Sequence, residues 1–179
     1  VDSIPANNAL ERLAAELAAR PIIPQGDGPR TRLIRPSDLP FIPTGDGSAF
    51  QLQHVDLANG IWISVVRLPP ATRVVKHYHT GWVYGVTLQG SWYYAESPDE
   101  VNTPGSFLFE PAGSTHTLTT PADQDGDTLA WFAIAGANIN LDDNGNPVSI
   151  ADARTVLDVY RKVANALGLD TSKLIVIGE

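Results

Sequence analysis

The sequence predicts a mainly β fold, a sandwich or barrel with one helix at each end, and three observations carry that prediction. Between Ala49 and about Leu141, short runs rich in Val, Ile, Trp, Tyr, Phe and Thr recur without a helical pattern between them. Gly90, Gly105 and Gly113 punctuate those runs as turn signals do. Helical periodicity is confined to the two ends of the chain. Strands that follow one another without helices belong to sandwiches and barrels rather than to alternating β/α units.

Taken in order, residues 6–20 read as a helix, with Leu10, Leu13, Ala14, Leu17 and Ala18 on one face, Asn7 or Asn8 as cap and Pro21 as stop. Residues 21–48 hold six prolines and four glycines and read as an extended connector. The expected strands are Phe50–Asp56, Ile61–Leu68, Arg73–His79, Tyr84–Leu88, Trp92–Glu96, Ser106–Glu110, Thr115–Thr119, Thr128–Ile134 and Ala137–Leu141. Asp143-Asn144-Gly145 suits a tight hairpin turn into Pro147–Ser149. Ser149 with Asp152 then suggests a capping box for a helix whose stripe is Val156, Leu157, Tyr160, Val163, Ala164 and Leu167, ended by Gly168. Leu174–Ile177 is the right length for an edge strand. The expected organisation is therefore 1–48 helix and connector, 49–141 β domain, and 142–179 hairpin turn and helix packed on it.

Composition narrows the function. The chain has 179 residues, 12 Lys+Arg against 20 Asp+Glu, four His, and neither Cys nor Met. A net charge of −8 argues against nucleic-acid binding, which needs clustered Lys and Arg. Without Cys there is no disulfide, Fe–S cluster, thiolate zinc site or thiol nucleophile, and without Met no thioether ligand. Any metal must sit on His, carboxylate or water. No apolar run reaches the ~20 residues of a membrane span. No basic segment followed by an apolar core opens the chain, so a cytoplasmic protein is expected, with processing left open because the first residue is Val1.

The histidines are His54, His77, His79 and His116. His77 and His79 lie two apart in a β-type run, so their rings point the same way, about 7 Å apart along the backbone. His116 follows Gly113-Ser114-Thr115 in another strand. Three neutral imidazoles suit Fe, Zn, Ni or Cu and leave positions for water, O2 or substrate. His54 has no spaced partner and reads as an ordinary surface or core residue.

Residues 71–90 (ATRVVKHYHTGWVYGVTLQG) and 105–120 (GSFLFEPAGSTHTLTT) resemble the two metal-binding motifs of the cupin superfamily. The second keeps Gly105, Pro111-x-Gly113 and His116; the first keeps His77-x-His79 and Gly90. The first departs where cupins carry a Glu after the second His, since Val83 and Tyr84 stand there, and Thr120 stands where an Asn is usual. The resemblance implies a single jelly-roll barrel over residues 49–141 and a homodimer or homotetramer. Within the cupins, His77-Tyr78-His79-Thr80-Gly81, the run Leu88–Glu96, Phe109–Leu118 and the tail Leu141-Asp142-Asp143-Asn144-Gly145 are similar to the 2,4'-dihydroxyacetophenone dioxygenase group. That likeness implies non-haem Fe(II), with O2 as co-substrate, cleaving a C–C bond beside a ketone of a small-molecule substrate. It also implies a Glu near the metal at the position of Glu96.

Glu96 then reads as a fourth ligand or as the group that takes a proton from bound water or substrate; the alternative is a solvated carboxylate at a strand end. Glu110, beside the motif turn, reads as a cap or ion-pair partner. Trp82, Tyr84, Trp92, Tyr94 and Trp131 are candidates to line a substrate pocket, against the alternative of core packing. Tyr84 is singled out as a catalytic candidate, because it occupies the usual Glu position and its hydroxyl could orient substrate. Asp142–Gly145 lacks the spacing of a calcium loop. Two other classes fit the same ligands: a redox-neutral isomerase or lyase using Zn, Ni or Mn as Lewis acid, and a non-catalytic metal- or ligand-binding cupin.

Overall fold

In the computed structural model, residues 6–18 and 30–179 are described, and the chain divides into two units, Val1–Leu33 and Ile34–Glu179. In the first, α1 spans Ala6–Ala18, with Leu10 and Leu13 of its apolar stripe exposed. The helix begins at Ala6, so Asn7 and Asn8 lie inside its first turn rather than capping it. The expected stop at Pro21 falls among residues 19–29, outside the described residues.

The second unit is built of fourteen strands and one helix. The strands are β1 (Ile42–Pro43), β2 (Ala49–Asp56), β3 (Ile61–Leu68), β4 (His77–His79), β5 (Val83–Gln89), β6 (Trp92–Tyr94), β7 (Ser97–Asn102), β8 (Phe107–Glu110), β9 (Thr115–His116), β10 (Leu118–Thr119), β11 (Thr128–Ala135), β12 (Ala137–Leu141), β13 (Pro147–Asp152) and β14 (Ile175–Ile177). They form three sheets rather than one closed barrel. The large one runs β1-β2-β3-β11-β5-β8 with β14 also on β2, and the smaller ones run β10-β6-β7 and β13-β12-β4-β9. Most strands pair antiparallel, as runs joined by short turns dictate; β14 returns after a helix and pairs parallel with β2.

Three differences from the sequence reading have local causes. The run Arg73–His79 is a strand only at His77–His79, with Arg73 making a lone bridge to Thr119. Trp92–Glu96 stops at Tyr94, because Ala95 and Glu96 form the turn into β7. The second helix, α2 (Ala153–Ala166), starts later than Ser149, which lies inside β13. Its capping box is Asp152 with Thr155: the Asp152 carboxylate accepts from the Thr155 N–H at 2.8 Å, and the Thr155 hydroxyl accepts from the Asp152 N–H at 2.8 Å.

Ala153, Leu157, Tyr160 and Ala164 are the buried stripe of α2. They join Leu39, Ile42, Leu52 and Val55 in a core that continues through Trp62, Val83, Trp92 and Phe132 between the sheets. Leu39 and Ile42 belong to the Pro-rich segment read as a connector, yet they are almost fully buried. The Tyr160 hydroxyl donates to the Pro40 carbonyl at 2.8 Å, which ties the same segment to α2.

Candidate metal centre

Two adjacent strands of the four-stranded sheet carry the three histidines. In the antiparallel ladder of β4 with β9, His77 stands directly opposite His116, and alternation puts His79 on the same face as His77. The turn 111–114 makes this pairing possible. Its Gly113 N–H donates to the His79 carbonyl at 2.8 Å, and the His79 N–H donates to the Ser114 carbonyl at 2.9 Å. Gly113 has φ of +92°, a conformation that glycine adopts without a Cβ clash. The Pro-x-Gly element of the motif therefore acts through the backbone, by aiming His116 at His77.

The ligand atoms of the three rings lie within 4.8 Å of one another, and the three residues are 9%, 2% and 6% exposed in chain order. His79 Nε2 and His116 Nε2 are 3.1 Å apart. Two nitrogens sharing one ion at about 2.1 Å stand roughly 3.0 to 3.4 Å apart, so this spacing fits a common metal. His77 Nδ1 lies 2.8 Å from the Val75 carbonyl, which fixes its proton there and turns the Nε2 lone pair toward the cluster. Burial pushes His77 and His116 below the ordinary imidazole value, His116 to about 4, so both are neutral at pH 7 as ligands must be.

Glu110 completes the cluster, a residue the sequence reading left as a cap or ion-pair partner. It ends β8, pairs with Val83 of β5, and is 4% exposed. Its Oε2 lies 3.0 Å from His79 Nε2 and 3.3 Å from His116 Nε2. Burial alone would raise this carboxyl, but His79, His116 and the Tyr94 hydroxyl hold it below the ordinary carboxylate value. Lone pairs of a carboxylate and two imidazole nitrogens cannot share so small a space unless protons or a cation lie among them. Three nitrogens and one oxygen are a donor set for a first-row divalent ion, so the residues fit the metal that the motifs imply. Tyr94 braces the arrangement twice: its hydroxyl donates to Glu110 Oε1, and its ring stacks on His116 with centroids 3.9 Å apart.

Glu96 is placed elsewhere. Because β6 ends at Tyr94, strand alternation does not carry through to Glu96, which is exposed in the turn. Its carboxylate accepts from the Thr117 N–H at 2.9 Å and from the Thr117 hydroxyl at 3.0 Å, next to His116 in sequence. It borders a separate polar depression with Arg73, Lys76, Asp142 and Asp143. Burial would raise its pKa, but the bonds from Thr117 outweigh that and lower it. The ligand reading of Glu96 is therefore corrected: the carboxylate at the histidines is Glu110.

The cluster forms part of the wall of a cavity of about 130 Å³, which Val66, Leu68, Val74, Leu118, Phe132 and Ile134 also line. Of the five aromatic residues proposed to line it, only Tyr94 does. Val83 faces the cavity, so its neighbour Tyr84 faces outward, where it is 38% exposed and packs on Phe107 and Phe109. Trp82 lies against the outward Tyr84 ring. Trp92 is fully buried core, with its indole N–H donating to Thr87 Oγ1 at 2.9 Å. Trp131 donates to Gln53 Oε1 at 3.1 Å, on the strand face opposite to that of Phe132. The catalytic reading of Tyr84 is corrected with the rest, because its hydroxyl cannot reach a substrate in this cavity. His54 sits in β2 beside Ile63 and Ile175, outside the cluster.

Comparison with known proteins agrees with the fold and the motifs. The ChrR cupin-like domain family matches residues 29–135. The chain belongs to that family. A protein of unknown function with a cupin-like fold from Ralstonia eutropha JMP134 is 30% identical, with TM-score 0.69 over 74% of this chain and 82% of its own. An RmlC-like cupin from the same organism is 28% identical, with TM-score 0.73 over 79% and 91%. An acetylacetone dioxygenase from Acinetobacter johnsonii shares the fold at 17% identity, with TM-score 0.67 over 79% of this chain and 99% of its own. No curated protein matches the chain. Among the described residues of this cupin, no helix is long and apolar enough to cross a membrane.

Proposed function

We propose that this cupin is a non-haem iron dioxygenase that uses O2 to cleave a C–C bond next to a ketone in a small α-hydroxyketone or β-diketone, giving carboxylic acids. The observation that carries the reading is the placing of three histidines and Glu110 in the wall of a small, mostly apolar cavity. The likeness of its motifs to the 2,4'-dihydroxyacetophenone dioxygenase group supports the same reaction class.

An Fe(II) ion held by His77, His79 and His116 would supply the redox partner that O2 requires and an electrophile for the substrate oxygens. Glu110 is the group placed to take the proton that a hydroxyketone or diketone loses on becoming an enolate. The Tyr94 hydroxyl keeps that carboxylate oriented and ionised. Val66, Leu68, Val74, Leu118, Phe132 and Ile134 exclude water, which strengthens every charge interaction inside. The cavity volume of about 130 Å³ is close to the ~150 Å³ that holds a benzene ring, so it admits a substrate of roughly six non-hydrogen atoms.

The test is metal analysis of anaerobically purified protein, followed by O2 uptake with the iron-loaded form. O2 consumption with at least one α-hydroxyketone or β-diketone, lost in His116→Ala, is expected. No O2 consumption across both classes overturns the reading, and substrate turnover without O2 would assign the site to Lewis-acid chemistry instead.

A further inference from the structure

One polar group in the cavity wall is not accounted for by the metal cluster. Of the described residues lining the cavity, the polar ones are His77, His79, His116, Glu110, Tyr94 and Asn138. The first five make polar contacts with one another or, for His77 Nδ1, with the Val75 carbonyl, although His79 Nδ1 has no hydrogen-bond partner. The Asn138 Oδ1 atom is buried and has no hydrogen-bond partner. Buried amide oxygens are normally satisfied, so an orphan on a cavity-lining residue points to something that fills it.

The register explains why this oxygen is free. On β12, Asn138 stands opposite His79 and Asn140 stands opposite His77 in the ladder with β4. On its other side β12 pairs with β13, where Asn140 faces Ser149 and Asn138 faces Ala151. Asn140 accordingly donates to the Ser149 hydroxyl at 2.8 Å. Ala151 offers Asn138 no such partner. Asn138 thus holds a free acceptor beside the ring of His79, where directly opposed residues have Cβ atoms about 5 Å apart.

The geometry points to Asn138 as a specificity-determining residue that accepts a hydrogen bond from a donor on the ligand, next to the atom that binds the metal. The inference rests on reading the cluster as a ligand-binding metal centre, but not on the O2 chemistry. It sharpens the substrate class. An α-hydroxyketone keeps an O–H for Asn138 Oδ1 when it chelates, whereas a β-diketone bound as its enolate has no donor left. The preferred substrate is then a hydroxyketone.

Acetohydroxamate and N-methylacetohydroxamate test this directly, because both chelate through two oxygens and only the first carries an N–H. Their dissociation constants are measured by calorimetry on zinc-loaded wild type, Asn138→Leu and Asn138→Asp, with zinc affinity determined on the same samples. Wild type is expected to prefer acetohydroxamate by about tenfold more than Asn138→Leu does, the range of one hydrogen bond to a buried acceptor. Asn138→Asp, which keeps the acceptor, retains the preference, and zinc affinity stays within about twofold of wild type in Asn138→Leu. An unchanged ratio in Asn138→Leu overturns the inference, as does loss of the preference in Asn138→Asp or failure of wild type to bind either probe. A tenfold fall in zinc affinity in Asn138→Leu also overturns it, since the amide oxygen would then be a metal ligand. Hydroxamate binding needs no O2, so a silent O2-uptake screen would refute the dioxygenase reading and leave this result standing.

Discussion

Replacing Glu110 with Gln separates the two carboxylates that compete for a role at the metal. The substitution keeps shape and an acceptor for Tyr94 but removes one negative charge. Glu110 Oε2 is 3.0 Å from His79 Nε2, and an ion bound to that nitrogen lies about 2.1 Å beyond it, so carboxylate and ion are separated by no more than roughly 5 Å. A divalent ion and a unit charge at about 5 Å attract by about 1.7 kcal/mol in a fully aqueous dielectric and by about 6.6 kcal/mol at an effective dielectric of about 20. Even the lower figure is a loss of about 20-fold in affinity. The assay is competition for Zn(II) against a chromophoric chelator at pH 7.5, with wild type, Glu110→Gln and Glu96→Gln side by side. Glu96→Gln keeps an acceptor for Thr117 and is expected to stay within about threefold, as surface substitutions away from a buried charge do. A Glu110→Gln affinity within threefold of wild type, or a larger loss in Glu96→Gln, would refute the assignment.

Three further outcomes follow from the same geometry. The His116 imidazole titrates near 4 in the folded metal-free protein and near 6.5 when unfolded, so its contribution is present above pH 6.5 and is lost as pH falls toward 4. Urea unfolding of the metal-free protein should show a loss of about 3 kcal/mol across that window, much reduced in His116→Gln. Gly81→Ala would place a Cβ 2.2 Å from the Ala135 carbonyl oxygen, and should lower unfolding free energy by at least about 2 kcal/mol in chemical denaturation. Tyr84→Ala removes a ring on the outer sheet face and should leave zinc affinity within about twofold in the chelator competition; a tenfold change would return Tyr84 to the site.

The parts legible in the sequence are those carried by local rules. Long apolar runs such as Ile61–Leu68 gave β3 with the same ends, and the spacing His77-x-His79 gave two rings on one face whatever the tertiary partner. Register between distant strands is not a local property. Nothing in the sequence says that Val83, rather than Tyr84, faces inward, because Thr80–Trp82 breaks the alternation between β4 and β5. Glu96 falls outside the cluster for a related reason, because β6 ends at Tyr94 and its pleat carries no further.

Glu110 was hidden by a stronger effect. In Phe107-Leu108-Phe109-Glu110 a hydrophobic pattern puts both phenylalanines inside and the carboxylate out. The structure does the reverse: Phe107 and Phe109 are 67% and 53% exposed, while Glu110 is 4% exposed. Burying a carboxylate while two aromatic rings face solvent is unfavourable on both counts, and it persists only where a compensating partner exists. His79, His116 and Tyr94 are that partner on the inside. The inversion is therefore itself a functional signal, since sequences break local rules where a site requires it. A carboxylate that ends an apolar run, six residues before a motif histidine and joined to it by a Pro-x-Gly turn, is the pattern in the sequence that marks Glu110.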